Sequence, residues 1–235
     1  MSSSVPSAST SEPERTERDL TVGPERLDRW LAGFFERHGG AAEVGEHTGG
    51  DAVRASAETV TFVAADGARA ECTVPFPPLR ANPALPDAGL VGHATRDRRV
   101  GVLLVRMGGY AAGVFVGRRL EVSKVGARLV QGRTAAGGWS QQRFARRREK
   151  QAREAFEAAA DVVARVLLPH AADLDAMVVG GDRRAVAQVL EDARLAPLRT
   201  LVTGPHLHVP DPKLAVLRNT PEEFRAVRIR LTQPA

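Results

Sequence analysis

The sequence predicts an α/β protein whose larger, C-terminal domain is a mixed sheet covered by helices. Three observations carry that expectation. Val100-Gly101-Val102-Leu103-Leu104-Val105 is a continuous apolar run of strand length. Two further β-like runs follow it at hairpin spacing, which makes an antiparallel meander of three. A long amphipathic helix pattern comes next, and then strand and helix patterns alternate to the end of the chain.

Taken in order, residues 1–20 are dominated by Ser, Pro, Glu and Arg, so a disordered tail is expected. Pro24 suits a first helical position, and Leu27, Trp30, Leu31, Phe34 and Phe35 recur at helical spacing until Gly39-Gly40 ends the pattern. Val60 and Phe62, then Cys72 and Val74, alternate around an Ala65-Asp66-Gly67 turn. Residues 21–76 are therefore expected to form a small helix-plus-hairpin module. Pro77, Pro78, Pro83 and Pro86 mark 77–96 as a Pro-rich linker, which leaves 97–235 as the main domain.

Within that domain the meander is expected over 100–105, 111–118 and 121–130, followed by a helix over 140–168 that Pro169 stops. Phe144, Ala152, Phe156, Ala159, Val163 and Val166 supply its apolar stripe. A short buried strand at 176–180 leads through Gly181-Asp182 into a helix over 183–193. Strands are expected at 198–202 and at 226–231, where Val227, Ile229 and Leu231 alternate with Arg228 and Arg230.

The chain has 235 residues and is 43% hydrophobic, enough to bury a substantial core. Its single Cys72 can form no intramolecular disulfide and no thiolate metal cluster. No run reaches the roughly 18 apolar residues of a membrane span, and the N-terminus lacks a signal-peptide core, so a soluble cytoplasmic protein is expected. There is no P-loop and no nucleophile elbow around Ser140. Gly180-Gly181-Asp182 reads as a tight strand-to-helix connection in preference to a phosphate turn, and His206-x-His208 has no Cys nearby to complete a metal site. No metal or cofactor is expected.

The informative stretch is 131–153, QGRTAAGGWSQQRFARRREKQAR. The net charge of +5 is a weak pointer to an anionic partner, but here the charge is concentrated. Arg133 lies in the loop, and Arg143, Arg146, Arg147, Arg148, Lys150 and Arg153 crowd the start of the helix, interrupted only by Glu149 and Glu154. Cations near a helix N-terminus oppose its dipole, so an unbalanced cluster there is better explained by phosphate ligands than by a solvated face. Gly137-Gly138 lets the backbone thread a narrow space. Gln141 and Gln142 offer uncharged donors and acceptors that can hold a water without a charge to desolvate.

Gly137-Gly138-Trp139-Ser140-Gln141-Gln142-Arg143-Phe144-Ala145-Arg146 resembles the Gly-Gly-Gln-Ser-x-x-Arg-Phe-Ala-Arg segment of the catalytic domain of eukaryotic and archaeal class-1 peptide release factors. The resemblance covers about residues 97–235, including the preceding meander and the later Val178-Val179-Gly180-Gly181 strand end. Trp139 stands where those factors keep Gln, and the amides come later. A displaced Gln is similar to the Vms/ANKZF (VLRF) group of release-factor-like peptidyl-tRNA hydrolases that rescue stalled ribosomes, with actinobacterial members the nearest fit. The resemblance implies a ribonuclease-H-like α/β domain without cofactor, acting as a monomer on the large subunit. It also implies hydrolysis of the ester between nascent peptide and P-site tRNA. Gly137 and Gly138 would give access, Gln141 (or Gln142) would position water, and the basic residues would hold rRNA or tRNA phosphates. A tRNA-cleaving nuclease of the same group and a non-catalytic ribosome- or RNA-binding factor are the alternatives.

Overall fold

The structure, a computed structural model, describes residues 15–42, 52–106, 109–127 and 140–234, without the side chains of residue 15 and of 140–148. The chain divides into two units: Met1–Ala94 with Val227–Ala235, and Thr95–Ala226. Each has its own sheet and its own buried cluster. Among the described residues no helix is long and apolar enough to cross a membrane.

The first unit is a five-stranded sheet in the order β1-β9-β4-β3-β2, with β1 Arg15–Val22, β2 Val53–Ala55, β3 Thr59–Val63, β4 Arg69–Thr73 and β9 Val227–Pro234. Helix α1, Pro24–Arg37, starts with Pro at its first turn and lays Leu27, Leu31 and Phe34 on the sheet. The helix and the β3–β4 hairpin follow the sequence pattern. Three expectations are corrected. Residues 15–22 are not part of a tail: they form an edge strand antiparallel to β9, with Leu20 opposite Ile229 and Val22 opposite Val227. The final strand does not close the C-terminal domain but lies between β1 and β4, so the domain expected over 97–235 ends at Ala226. The Pro-rich segment is not a free linker either. Leu79, Ala88, Leu90 and Ala94 are buried in the same core, the last two on a short helix α2, Leu90–Thr95.

In the second unit, β5 Arg99–Arg106, β6 Gly109–Val116 and β7 Arg119–Ala127 form the expected antiparallel meander. β8, Ala176–Gly181, joins β5 in parallel, which gives the mixed order β7-β6-β5-β8. This is the mixed α/β sheet that the sequence predicts. Helices α3, Ser140–Val166, and α4, Arg183–Leu190, cover one face through Ala159, Val163, Val166, Val186 and Val189. The other face packs on Leu217 of α6, Leu214–Asn219, and on Phe224 of α7, Pro221–Phe224, whose ring meets Phe115 edge-on at 5.9 Å. The strand expected over 198–202 is corrected to a helical turn, α5, Ala196–Arg199, because Pro197 sits at its start. Only Val202 keeps a bridge, to Met177. The long helix stops at Val166, and Pro169 falls in a 3-10 turn over Leu168–His170.

Gly181 carries the turn from β8 into α4. Its φ is +93°, and a Cβ there would overlap the carbonyl oxygen of Val105. Gly181→Ala is therefore expected to destabilise the second unit by about 3 kcal/mol, from left-handed strain plus displacement of β5 backbone. A thermal melt checks this. An unchanged midpoint would show that the turn is looser than its geometry.

Candidate functional site

β7 ends at Ala127 and α3 begins at Ser140. Arg133, Gly137, Gly138 and Trp139 lie outside the described residues. Gln141 and Gln142 both fall in the first turn of α3, so the two amides start a helix rather than standing one on the loop and one on the helix. α3 has 27 residues and is roughly 40 Å long. Further along, it buries Ala155, Ala159, Val162, Val163 and Val166 at helical spacing.

Two of the predicted basic residues are partly neutralised. Lys150 Nζ lies 4.0 Å from Glu154 Oε1 one turn on, a surface pair worth well under about 1 kcal/mol. Arg153 lines a cleft of about 470 Å³ between α3 and α4, together with Glu149, Phe156, Glu157, Glu191 and Asp192. Asp192 is held by Arg194 at 2.7 Å, and the other three carboxylates against one guanidinium leave that cleft acidic. A phosphate-binding role accordingly rests on the residues before Arg153.

The edge of the sheet from which the loop departs has chemistry of its own. β5 and β7 are each antiparallel to β6, and β8 is parallel to β5, so β5, β7 and β8 all end at this edge. Their ends are in register: Ala127 faces Gly109, Gly109 faces Arg106, and Val105 faces Gly181. Arg106 is exposed and donates from Nη1 to the Val209 carbonyl at 2.9 Å. With Gly181, Asp182, His208, Val209 and Pro210 it lines a second cleft of about 570 Å³. Sequence reasoning passed over Arg106. The one local signal for it is a cation directly after the apolar run Val100–Val105.

Gly180-Gly181-Asp182 behaves as a connection. Asp182 Oδ1 caps α4 by accepting from the backbone N–H of Arg184 at 2.8 Å and of Ala185 at 3.0 Å, which occupies donors that a phosphate would need there. His206 and His208 stand edge-on with ring centroids 6.2 Å apart, and His206 Nε2 donates to the Gly181 carbonyl at 2.9 Å. Among the described residues no three His, Cys, Asp or Glu side chains gather as metal ligands. Cys72 is fully buried, and burial pushes its thiol up to about 12, so it carries no thiolate chemistry.

Residues 98–230, more than half of the chain, match the family model of the Actinobacteria/chloroflexi VLRF1 release factor. No curated protein matches the chain. Among solved structures, the archaeal translation termination factor aRF1 aligns at 14% identity and a TM-score of 0.36, over 70% of this chain and 51% of that one. An archaeal protein aligns at 17% identity and a TM-score of 0.36, over 68% and 48%. The chain thus spans about half the length of these two structures.

Proposed function

The chain belongs to the Actinobacteria/chloroflexi VLRF1 release-factor family, and from that premise we propose that it is a peptidyl-tRNA hydrolase of stalled ribosomes or large subunits. Membership supports a release-factor-type role in translation. The finer reading rests on one observation: in the sequence the string Gly137 to Arg146 falls between the end of β7 and the first turns of α3, a helix whose first half is rich in Arg and Lys.

The reaction needs little from the protein beyond access and positioning. A water oxygen attacks the acyl carbon, and the bond from that carbon to the tRNA ribose oxygen breaks. The proton passes to the leaving ribose oxygen. In this reading Gly137 and Gly138 admit the backbone to the peptidyl-transferase centre, and Gln141 or Gln142 orients the water through an uncharged amide. Arg133, Arg143, Arg146, Arg147 and Arg148, with Lys150 and Arg153 to a lesser degree, meet rRNA or tRNA phosphates. The partners are the large subunit and its P-site peptidyl-tRNA. The protein works in the cytoplasm as a monomer without a cofactor.

The test is incubation of purified protein with ribosomes carrying peptidyl-tRNA, followed by analysis of both the peptide and the tRNA 3′ end. Free peptide with intact tRNA is the expected result. Shortened tRNA would identify a nuclease instead, and unchanged peptidyl-tRNA would leave only a binding factor.

A further inference from the structure

We propose that the acidic cleft between α3 and α4 seats a cationic protein segment, one that carries an apolar side chain among its Lys and Arg residues. The inference rests on the release-factor reading for where that segment is met, on a protein of the large subunit. The chemistry of the cleft stands separately.

Helix periodicity builds the cleft. Glu149, Arg153, Phe156, Glu157 and Ala160 fall on one stripe of α3, and from Glu149 to Ala160 that stripe runs about 16 Å. Gln188 and Val189 of α4, with Glu191 just past its end, supply the opposite wall. Arg194 ties the walls together at one end: its Nη2 donates to Asp161 of α3 at 2.8 Å and to Asp192 at 2.7 Å. The floor is apolar. Ala160 and Val189 are buried, while Phe156 packs on the core of the unit and keeps part of its surface in the cleft.

Charge is balanced at the tied end and uncompensated at the rim. Asp161 and Asp192 are matched by Arg194 and by Arg199, whose Nη2 donates to the Asp192 carbonyl at 3.3 Å. Glu149, Glu157 and Glu191 are exposed, and none of them has an ion-pair partner among the described residues. Arg153, one turn from both Glu149 and Glu157, offsets one of those charges and leaves two. An apolar floor beneath surplus carboxylates holds a Lys or Arg by its charged end and a neighbouring side chain by its hydrocarbon. The same rim repels a phosphate backbone. The sequence of α3 changes sign at this point. Residues 143–148 carry four Arg and no acid, whereas 149–161 carry Glu149, Glu154, Glu157 and Asp161 against Lys150 and Arg153. Proteins that pack against RNA are cationic, so the anionic part of the helix complements such a protein and not the RNA itself.

The experiment measures binding of the full-length protein to a short fluorescent peptide with Lys-Arg on each side of one Leu. A second peptide has Ser in place of that Leu. Wild type is compared with Glu149→Gln/Glu157→Gln/Glu191→Gln, and with Glu17→Gln/Glu58→Gln/Glu71→Gln, which makes the same charge change on the first unit. All six positions are exposed, and melting curves check that both variants fold. The cleft variant should lose roughly tenfold in affinity for the Leu peptide, and the other variant should stay within about twofold of wild type. The Ser peptide should bind wild type about three- to tenfold more weakly than the Leu peptide. Equal losses in the two variants would mean general attraction between opposite charges and overturn the inference. So would equal binding of the two peptides. In parallel, a photo-crosslinking amino acid replaces Gln188, exposed on the cleft wall, and the protein is irradiated on purified large subunits. A crosslink to a ribosomal protein is expected. Crosslinks to rRNA alone, or none, overturn the inference. Peptide release separates the two claims. If wild type releases peptide but the cleft fails these tests, the hydrolase reading survives and this inference falls. If nothing is released but the cleft holds the Leu peptide and crosslinks to a ribosomal protein, the seat stands and the hydrolase reading falls.

Discussion

Deletion of Val227–Ala235 is expected to unfold the N-terminal sheet, although the deleted residues stand at the opposite end of the sequence. β9 has β1 on one side and β4 on the other, so its loss divides the sheet and strips β1 of its strand partner. It also removes Val227, Ile229 and Leu231 from a core that contains Leu27, Phe34 and Phe62. Three buried aliphatic side chains at about 1.5–3 kcal/mol each amount to roughly 5–9 kcal/mol before any ladder hydrogen bond is counted. That is comparable with the roughly 5–15 kcal/mol by which a whole domain is stable. The expected observation is loss of one unfolding transition, together with proteolytic cutting within 15–94 that spares 95–226, whose core is separate. Ile229→Ala alone should cost about 2–5 kcal/mol. A truncated protein that melts as wild type would show that β9 contributes nothing to the first unit.

That strand also marks where sequence reasoning stopped. The alternation of Val227, Ile229 and Leu231 with Arg228 and Arg230 identifies a strand with one buried face, and the structure has one. Alternation says nothing about which sheet supplies the neighbours. Here they come from Arg69–Thr73 and from Arg15–Val22, the second roughly 200 residues away in the chain. β1 was invisible for a related reason. It is an edge strand whose Thr16, Glu17, Arg18, Asp19 and Thr21 are exposed, and charge on an edge protects it from stray pairing while making it read as a tail. Apolar runs were legible where burial is two-sided, as in β5, and amphipathic spacing was legible in α1 and α3. The short run at 198–202 was ambiguous by length alone, and Pro197 decided it for a helical turn. The candidate site divides the same way. The loop–helix string is contiguous and can be read directly, whereas Arg106, Gly181 and His208 come from three regions that meet only because β5 and β8 run parallel.

The largest functional effect is expected from the two glutamines, and the helix makes their contributions unequal. Successive residues leave the axis of an α-helix about 100° apart, so two adjacent positions in the first turn of α3 are not equivalent. Gln141 is one residue nearer Gly137-Gly138 in the sequence. Gln141→Ala should therefore lower single-turnover peptide release by about 10²- to 10³-fold, the usual consequence of removing one positioning group in a reaction that depends on orientation. Gln142→Ala should stay within a few-fold of wild type, and the double variant should match Gln141→Ala rather than exceed it. Binding to large subunits should be unchanged in all three, because an uncharged amide adds little to contacts dominated by phosphate. The reverse ranking would move the role to Gln142 and keep the mechanism. Release at the wild-type rate by the double variant would remove both amides from the chemistry, and with them the claim that a displaced glutamine replaces the one that Trp139 excludes.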